Sequence, residues 1–523
     1  MSQRSWLSRG SALIGAAVLG LVLAGAPEAP RAQVFISGTS PHPVSDPNDP
    51  LKVTACNGAP QLGIVYRNSE SEPHLAVNPT NPMNMIAGWH QDRWSTGAAQ
   101  SLGAAYTVDG GISWRQVTIP FTRCSGAASN SAGDYERASD PWISFSPNGT
   151  AHYMALVTNM AVSENAMLAA RSTDGGATWS APVVIASHQS QDRTLTALFH
   201  DKNTITADPI DSRLVYATWT LFRAGVTSVV FARSSDGGQT WSPAIPIATM
   251  GNAAPAEQAV FRQAAQIVVL PDRTLVNGFY RLLFNSRTGA VRFEQAVLRS
   301  TDQGKHWSRL DMPVASFASV TAVDPELGVP VRDAQQLPIL AVNRGTGQLY
   351  MTWQDGNANN DPSPRDRPGI VVASSIDGGA TWSTPVRVNQ GTSANVQAFL
   401  PVVTVNAQGI VGVLYYDFRN DVLGDARLST DVWLSLFDAN LNYLEERRLT
   451  PQSFDMRQMV IAGERGYFPG DYVGLSSANT DFVAAFTVAN NLGLPVVFPQ
   501  NNNGVFVDNH DRQSIVFARQ QQP

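Results

Sequence analysis

RSTDGGATWS, residues 171–180, decides the fold. It joins a Ser-Thr-Asp run to two glycines and then to Thr178 and Trp179. Glycine supplies backbone angles with positive φ, and aspartate accepts hydrogen bonds from the amides of its own turn. The stretch therefore reads as a tight turn between two strands. Close copies start at Arg233 (RSSDGGQTWS), Arg299 (RSTDQGKHWS) and Ser374 (SSIDGGATWS), with a looser one, YTVDGGISW, at Tyr106. Their aspartates, Asp109, Asp174, Asp236, Asp302 and Asp377, are spaced by 65, 62, 66 and 75 residues. Such spacing marks a repeated supersecondary unit. Five equivalent aspartates suit five copies of one hairpin better than one active site.

Two further strings recur upstream of each copy. The first is a short apolar strand ending in a turn, as in HLAVNPTNP (74–82), WISFSPNG (142–149) and TITADPID (204–211). The second follows within a few residues, as in MIAGWHQDR (85–93), HYMALVTN (152–159) and VYATWTLFR (215–223). β-Branched and aromatic runs bounded by Gly, Pro, Asn or Asp are strand signals. With the two strands flanking the motif, the unit becomes a four-stranded antiparallel meander. A sixth unit keeps only the Asp-to-aromatic spacing, at Asp438 and Tyr443. A seventh supplies three strands, within 473–480, 482–490 and 514–520, before the chain ends. The expected fold is all-β: a single β-propeller of four-stranded antiparallel blades, seven in number with six as the alternative. It is closed by an N-terminal strand, QVFISGT (33–39) or QLGIVYR (61–67), because closure removes exposed strand edges.

Composition narrows the function classes. Apolar residues make up 43% and charged residues 15%, and 36 basic against 42 acidic side chains leave a net charge of −6. That balance argues against nucleic acid or an anionic membrane as a general partner. Arg4 and Arg9 precede the apolar run Ala12–Ala26, the pattern of a secretory signal, with cleavage after Ala26 or Ala32. An uncleaved N-terminal anchor is the alternative, and no later stretch is apolar enough to span a bilayer. The expected organisation is thus a signal peptide (1–32), an N-terminal segment with the closing strand (33–70) and the propeller (71–523), placed in the secreted or periplasmic space. The two cysteines, Cys56 and Cys124, suit one disulfide in that compartment. The eight histidines show no HExxH or paired-ligand spacing, so neither a metal nor another cofactor is expected.

The pattern Ser-x-Asp-x-Gly-x-Thr-Trp resembles the Asp-box, or BNR repeat, of the sialidase superfamily, and the resemblance covers residues of about 70 to 520. Ser172, Asp174, Gly176, Thr178 and Trp179 match in full, while His306 stands in place of threonine in the Asp302 copy. In that family the boxes lie away from the active site. Meander topology agrees: the boxes share a rim with the turns between first and second strands. The opposite rim is fed by second-strand ends and first-strand starts, where a ligand is expected. Second-strand ends carry Asp92, Arg93, Arg223, Arg281, Asp355, Tyr416, Asp417 and Arg419. Residues leading into first strands include Glu72, Glu136, Arg137, Asp140, Asp201, Lys202, Arg262, Asp471 and Tyr472.

The resemblance implies three arginines around a sugar carboxylate, a tyrosine nucleophile paired with a glutamate, and an aspartate acid/base. Glu72 stands near the place of the family's first arginine, a departure from the pattern. Arg93, beside Asp92, fits the second. Arg281 and Arg419 are the candidates to complete the clamp, with Tyr416 (beside Asp417) or Tyr280 as nucleophile and Glu257 or Glu294 as partner. One reading is therefore a secreted glycoside hydrolase, an exo-sialidase or a related acidic-sugar glycosidase. The alternatives are a non-catalytic propeller binding glycan or an extracytoplasmic protein, and a structural module of the cell envelope. An Asn-rich stretch, 499–512, adds Asp508, His510 and Asp511 as further candidates.

Overall fold

The computed structural model describes residues 34–42, 63–159, 164–188, 198–223, 226–249, 257–358, 367–391, 396–461, 466–491, 506–508 and 510–521. All of them fall within the compact unit Ala32–Pro523. The signal-like segment and Cys56 lie outside the described residues. Cys124 is disulfide-bonded.

Antiparallel four-stranded sheets dominate the chain, as the repeat requires. In the first sheet the strands run Ser71–Val77, Met85–Trp94, Ala99–Thr107 and Arg115–Thr118, termed a, b, c and d. The second, joined to the first by the single pair Ala99–Ala138, begins with Arg137–Phe145, and the third begins with Leu198–Ala207. The fourth, fifth and sixth begin with Glu257–Val269, Ile339–Val342 and Ala398–Val405. In the last sheet Gly474–Ala478, Asp481–Ala489 and Gln513–Gln520 are joined by Val34–Phe35, which pairs antiparallel with Phe517 and Val516. The other expected closing strand goes elsewhere: Ile64–Tyr66 pairs with Arg93 and Trp94 and, in parallel, with Phe506–Asp508. The fold is all-β with the sheet pattern of a β-propeller.

The largest hydrophobic cluster runs from Trp142 of the second sheet through Ile205, Ile339 and Phe399 to Phe482 of the last, and smaller clusters lie between neighbouring sheets. Leu214, Phe231, Ile267 and Leu298 join the third and fourth sheets; Val276, Val297, Leu349 and Trp353 join the fourth and fifth. Leu75, Met85 and Trp89 of the first sheet share a cluster with Val483, Ala485 and Phe517 of the last. Trp89, Trp219 and Trp353, one b-strand position in three sheets, are fully buried.

The motif is a clasp. Ser172 Oγ donates to Asp174 Oδ1 at 2.7 Å, Thr178 N donates to the same oxygen at 2.9 Å, and Thr178 Oγ donates to Oδ2 at 2.6 Å. The other four copies repeat this scheme, with His306 Nδ1 replacing the hydroxyl at Asp302. A sixth, glycine-free version exists: Asn442 gives its amide and side-chain nitrogen to Asp438. The second glycine of each box lies against the preceding sheet. A Cβ on Gly304 would come within 2.2 Å of Phe231, and one on Gly111 within 2.2 Å of Phe517. Trp307 and Trp114 meet the same two phenylalanines edge-on or tilted, at 5.2 and 5.1 Å. Five boxes thus lock neighbouring sheets together at one rim.

Candidate functional site

At the other rim the a strands depart from regular pairing. Register shifts occur between Ser71 and His74, Ser139 and Trp142, Asp201 and Thr204, Gln263 and Gln266, and Phe399 and Val402. One residue inside each shift has positive φ: Glu72 (53°), Asp140 (57°), Lys202 (54°), Ala264 (65°) and Leu400 (58°). Left-handed angles cost a non-glycine residue roughly 1–2 kcal/mol, and such strain gathers at functional sites. A bulge also re-aims side chains. Here Glu72, Asp140 and Lys202 turn toward one another from three sheets.

Their heads form one buried ion network. Lys202 Nζ lies 2.6 Å from Asp471 Oδ2, 3.6 Å from Asp201 Oδ1 and 3.9 Å from Asp140 Oδ2. Arg332 Nη2 reaches the same Asp471 oxygen at 2.8 Å. The Asp471 amide donates to Glu72 Oε1 at 3.0 Å, and Glu72 Oε2 lies 2.8 Å from His90 Nε2. The guanidinium groups of Arg93 and Arg332 both lie over the Phe468 ring, 4.5 and 4.6 Å from its centre.

This network splits the carboxyl groups into two kinds. Burial raises the pKa of Asp471, but Arg332 and Lys202 overcome it and hold the group well below the usual carboxylate range. Burial likewise raises Glu72, and His90 more than offsets that. Asp201 is pushed up to about 6 by burial, with Lys202 countering only in part. Asp333 is pushed up to about 7 by burial, with the Ala322 amide and Gln354 countering only in part. Burial alone would lower Lys202, yet Asp140, Asp201 and Asp471 hold it well above the ordinary lysine value.

A small recess opens beside the network, lined by Trp142, Lys202, Asn203, Gln266, Leu337 and Tyr472 among others. A second small recess shares Leu337 and Tyr472 and adds Asp333, Gln354 and Asp471. Among the described residues, three buried polar atoms on these walls lack a hydrogen-bond partner: Asn203 Oδ1, Asp333 Oδ1 and Tyr472 Oη. Asp333 is fixed through its other oxygen, which accepts from Ala322 N at 2.8 Å and Gln354 Nε2 at 2.9 Å. Buried polar atoms are rarely left unpaired, and those that are call for an explanation such as a ligand.

Of the residues singled out in the sequence as a catalytic set, Arg93 reaches this network. Asp92 instead accepts hydrogen bonds from Ser40 Oγ, Asn68 N and Gln91 Nε2, pinning the N-terminal segment. Arg281 is engaged by Glu294 and Asp311, and Arg419 by Asp417, Glu446 and the ring of Trp433. Each belongs to an ion cluster of its own, so the structure does not bring Arg281 and Arg419 to Arg93. Burial pushes Asp417 up to about 6, with Arg419 countering. The Tyr416 hydroxyl donates to Thr487 O and accepts from Thr487 N, both at 3.0 Å. Tyr280 donates to Gln263 Oε1 at 2.8 Å, and Glu294 is taken by Arg281, leaving neither in a Tyr–Glu pair. The Glu257 side chain lies outside the described residues. Asp508 holds His510 and Arg512, and Asp511 holds Asn490.

The first-strand residues divide. Arg262 is held by Asp311 in the Arg281 cluster and Arg137 lies over the Trp94 ring, whereas Glu72, Asp140, Asp201, Lys202, Asp471 and Tyr472 meet at the site. His90, Asn203, Arg332, Asp333 and Phe468 join them without having been singled out. His90 and Asn203 adjoin flagged positions, whereas Arg332 and Asp333 sit in an irregular stretch before the fifth sheet, where no periodicity points inward.

No protein-family model matches the sequence, and no curated protein matches it. Among solved structures, the chain is similar to the Penicillium chrysogenum α-L-arabinanase complexed with arabinobiose. The two share 13% identity and a TM-score of 0.45, over 79% of this chain and 99% of that one. The Hadza microbial sialidase Hz136 is similar at 15% identity and a TM-score of 0.44, over 82% and 75%. An ulvan lyase of polysaccharide lyase family PL25 is similar at 10% identity and 0.45, over 82% and 93%. With its Asp-boxes and four-stranded antiparallel sheets, the chain has a sialidase-like β-propeller fold.

Proposed function

We propose that the chain is a secreted glycoside hydrolase on a seven-bladed propeller, its last blade closed by Val34–Phe35, with the box-free recess as active site. The observation that carries this reading is the trio of unpartnered atoms, Asn203 Oδ1, Asp333 Oδ1 and Tyr472 Oη, on the walls of the recess. Sugar hydroxyls both donate and accept, so they can satisfy all three. The Trp142 and Tyr472 rings, 5.4 Å apart, offer apolar faces of the kind pyranose rings stack on.

Glycosidic cleavage needs one carboxyl that is protonated and one that is ionised at the same pH. Asp333, at about 7, serves as the general acid, protonating the leaving oxygen through Oδ1. Asp201, at about 6 and one-fifth exposed, is the base that activates water. Asp471 remains ionised and stabilises the positive charge that develops on the sugar ring. Arg93 and Arg332 suit a carboxylated sugar, although the three-arginine clamp of an exo-sialidase is not assembled from Arg93, Arg281 and Arg419.

The test is a panel of fluorogenic arabinosides, sialosides and uronides, assayed with the wild type, Asp333→Asn and Asp201→Asn. Turnover that peaks between pH 6 and 7 and falls at least roughly 100-fold in either variant is expected. Absence of turnover on every glycoside refutes the enzyme, and retained glycan binding would then favour the binding propeller. Export of a reporter fused behind residues 1–32 tests the secreted location.

A further inference from the structure

Glu72, His90 and Asp140 form a corner of the network to which the acid and base roles of Asp333 and Asp201 assign nothing. One oxygen from each acid and one ring nitrogen of His90 all lie within 4.8 Å of one another. Each of the three residues is only 1% exposed. They come from the a and b strands of the first sheet and the a strand of the second, and both acids sit at strained positive-φ positions.

The His90 ring nitrogen is over-subscribed. Nε2 has Glu72 Oε2 at 2.8 Å, Ser139 Oγ at 3.1 Å and the Asp140 backbone nitrogen at 3.2 Å. An imidazole nitrogen offers a single N–H or a single lone pair. As N–H it meets the Asp140 amide donor to donor; as a lone pair it meets the Glu72 oxygen acceptor to acceptor. Among the described residues, Glu72 Oε2 accordingly finds no partner of good hydrogen-bond geometry despite its burial. The 2.8 Å separation matches instead the edge between adjacent ligands of a six-coordinate ion, about 2.9 Å for bonds of about 2.0–2.1 Å. Two carboxylates and a neutral imidazole also balance a divalent charge.

The geometry points to a divalent transition-metal site formed by Glu72, His90 and Asp140. A mixed nitrogen and oxygen donor set favours Mn²⁺, Co²⁺ or Zn²⁺ over Ca²⁺ and Mg²⁺, which prefer oxygen alone. Ser139 Oγ, 2.7 Å from Asp140 Oδ1, orients that carboxylate. Lys202 lies much nearer Asp471 than Asp140, so the corner is not filled by its ammonium group. The ion would tie the first sheet to the second beside the recess. This site stands apart from the proposed hydrolase, since it is read out by equilibrium binding and not by turnover.

Chelator-stripped protein titrated with Co²⁺ and Zn²⁺ should bind one equivalent of each. The melting temperature should rise with metal concentration, and a visible Co²⁺ absorption band should appear. The near-isosteric Glu72→Gln and the His90→Gln variants should bind roughly 10-fold or more weakly. His306→Ala, at an exposed histidine on the opposite rim, should bind as the wild type does. If a variant fails to fold, the wild-type titration still decides. No saturable binding below millimolar metal, or undiminished binding by folded Glu72→Gln and His90→Gln, overturns the site.

Discussion

Replacing Lys202 with methionine removes the cation around which the site is organised while keeping most of its volume. Its ammonium group lies within 3.9 Å of three carboxylates, and its side chain is 10% exposed. Truncating one partner of a buried charge cluster costs about 3–5 kcal/mol, because the remaining charges stay buried and unpaired. Arg332 still holds Asp471, which sets the expectation near the lower end. For the unit Ala32–Pro523, an unfolding entropy of about 2.1 cal/mol/K per residue gives about 1 kcal/mol/K. The melting temperature should therefore fall by about 3–4 °C at pH 8. The pH dependence has a definite sign. Asp471 is depressed, so its stabilisation is present above the ordinary carboxylate pKa and is lost as pH falls through its folded value. Lys202 is raised, so its stabilisation is complete below the ordinary lysine pKa and is lost only as pH rises through its folded value. Asp201, at about 6, is already taking up its proton between pH 7 and 5. The variant's deficit should thus be largest at pH 8 and smaller at pH 5, measured by differential scanning fluorimetry. A deficit that is equal at the two pH values, or no deficit at all, refutes the network as drawn.

The boxes make the opposite prediction, stability without function. Asp174→Ala removes three accepted hydrogen bonds at roughly 0.5–1.5 kcal/mol each, so urea unfolding should show a loss of about 2–3 kcal/mol with glycoside turnover unchanged. Gly304→Ala places a Cβ 2.2 Å from Phe231 at φ +80°, combining overpacking with backbone strain. It should cost about 2–4 kcal/mol in the same assay. If Asp333 is the general acid, Asp333→Asn should abolish the alkaline limb of the pH–rate profile near 7, whereas Asp201→Asn should abolish the acid limb near 6.

The fold was legible because its signal is local and repeated. A box needs Asp, Gly and a hydroxyl within seven residues, and each copy confirms the others. The Asp302 copy shows how far the pattern stretches. Gln303 replaces a glycine yet takes φ 63°, and His306 supplies the hydrogen bond of the missing threonine. Asp438 goes further, keeping the clasp through Asn442 with no glycine at all. Here the spacing was readable but the chemistry that replaced it was not.

The site was only half legible, for a geometric reason. Strand starts named Glu72, Asp140, Asp201, Lys202, Asp471 and Tyr472, since meander topology fixes which rim they share. They also named Glu136, Arg137 and Arg262, of which Arg262 pairs with Asp311 and Arg137 stacks on Trp94. The same reasoning gave equal weight to second-strand ends, and there it failed to discriminate. Side chains alternate along a strand, so neighbours such as Tyr415 and Tyr416, or Tyr280 and Arg281, face opposite ways. Tyr280 meets Gln263 beside the network while Arg281 turns to Glu294 and Asp311. A bulge resets that alternation, and five a strands carry one within the residues that matter. The extra residue has no sequence mark, because Glu, Asp, Lys, Ala and Leu occupy the left-handed position where glycine is the usual signal. Convergence at the recess therefore depends on backbone strain that composition conceals. That strain is retained at three charged residues of three different sheets, which is hard to explain by packing alone and follows directly if their heads must meet a ligand.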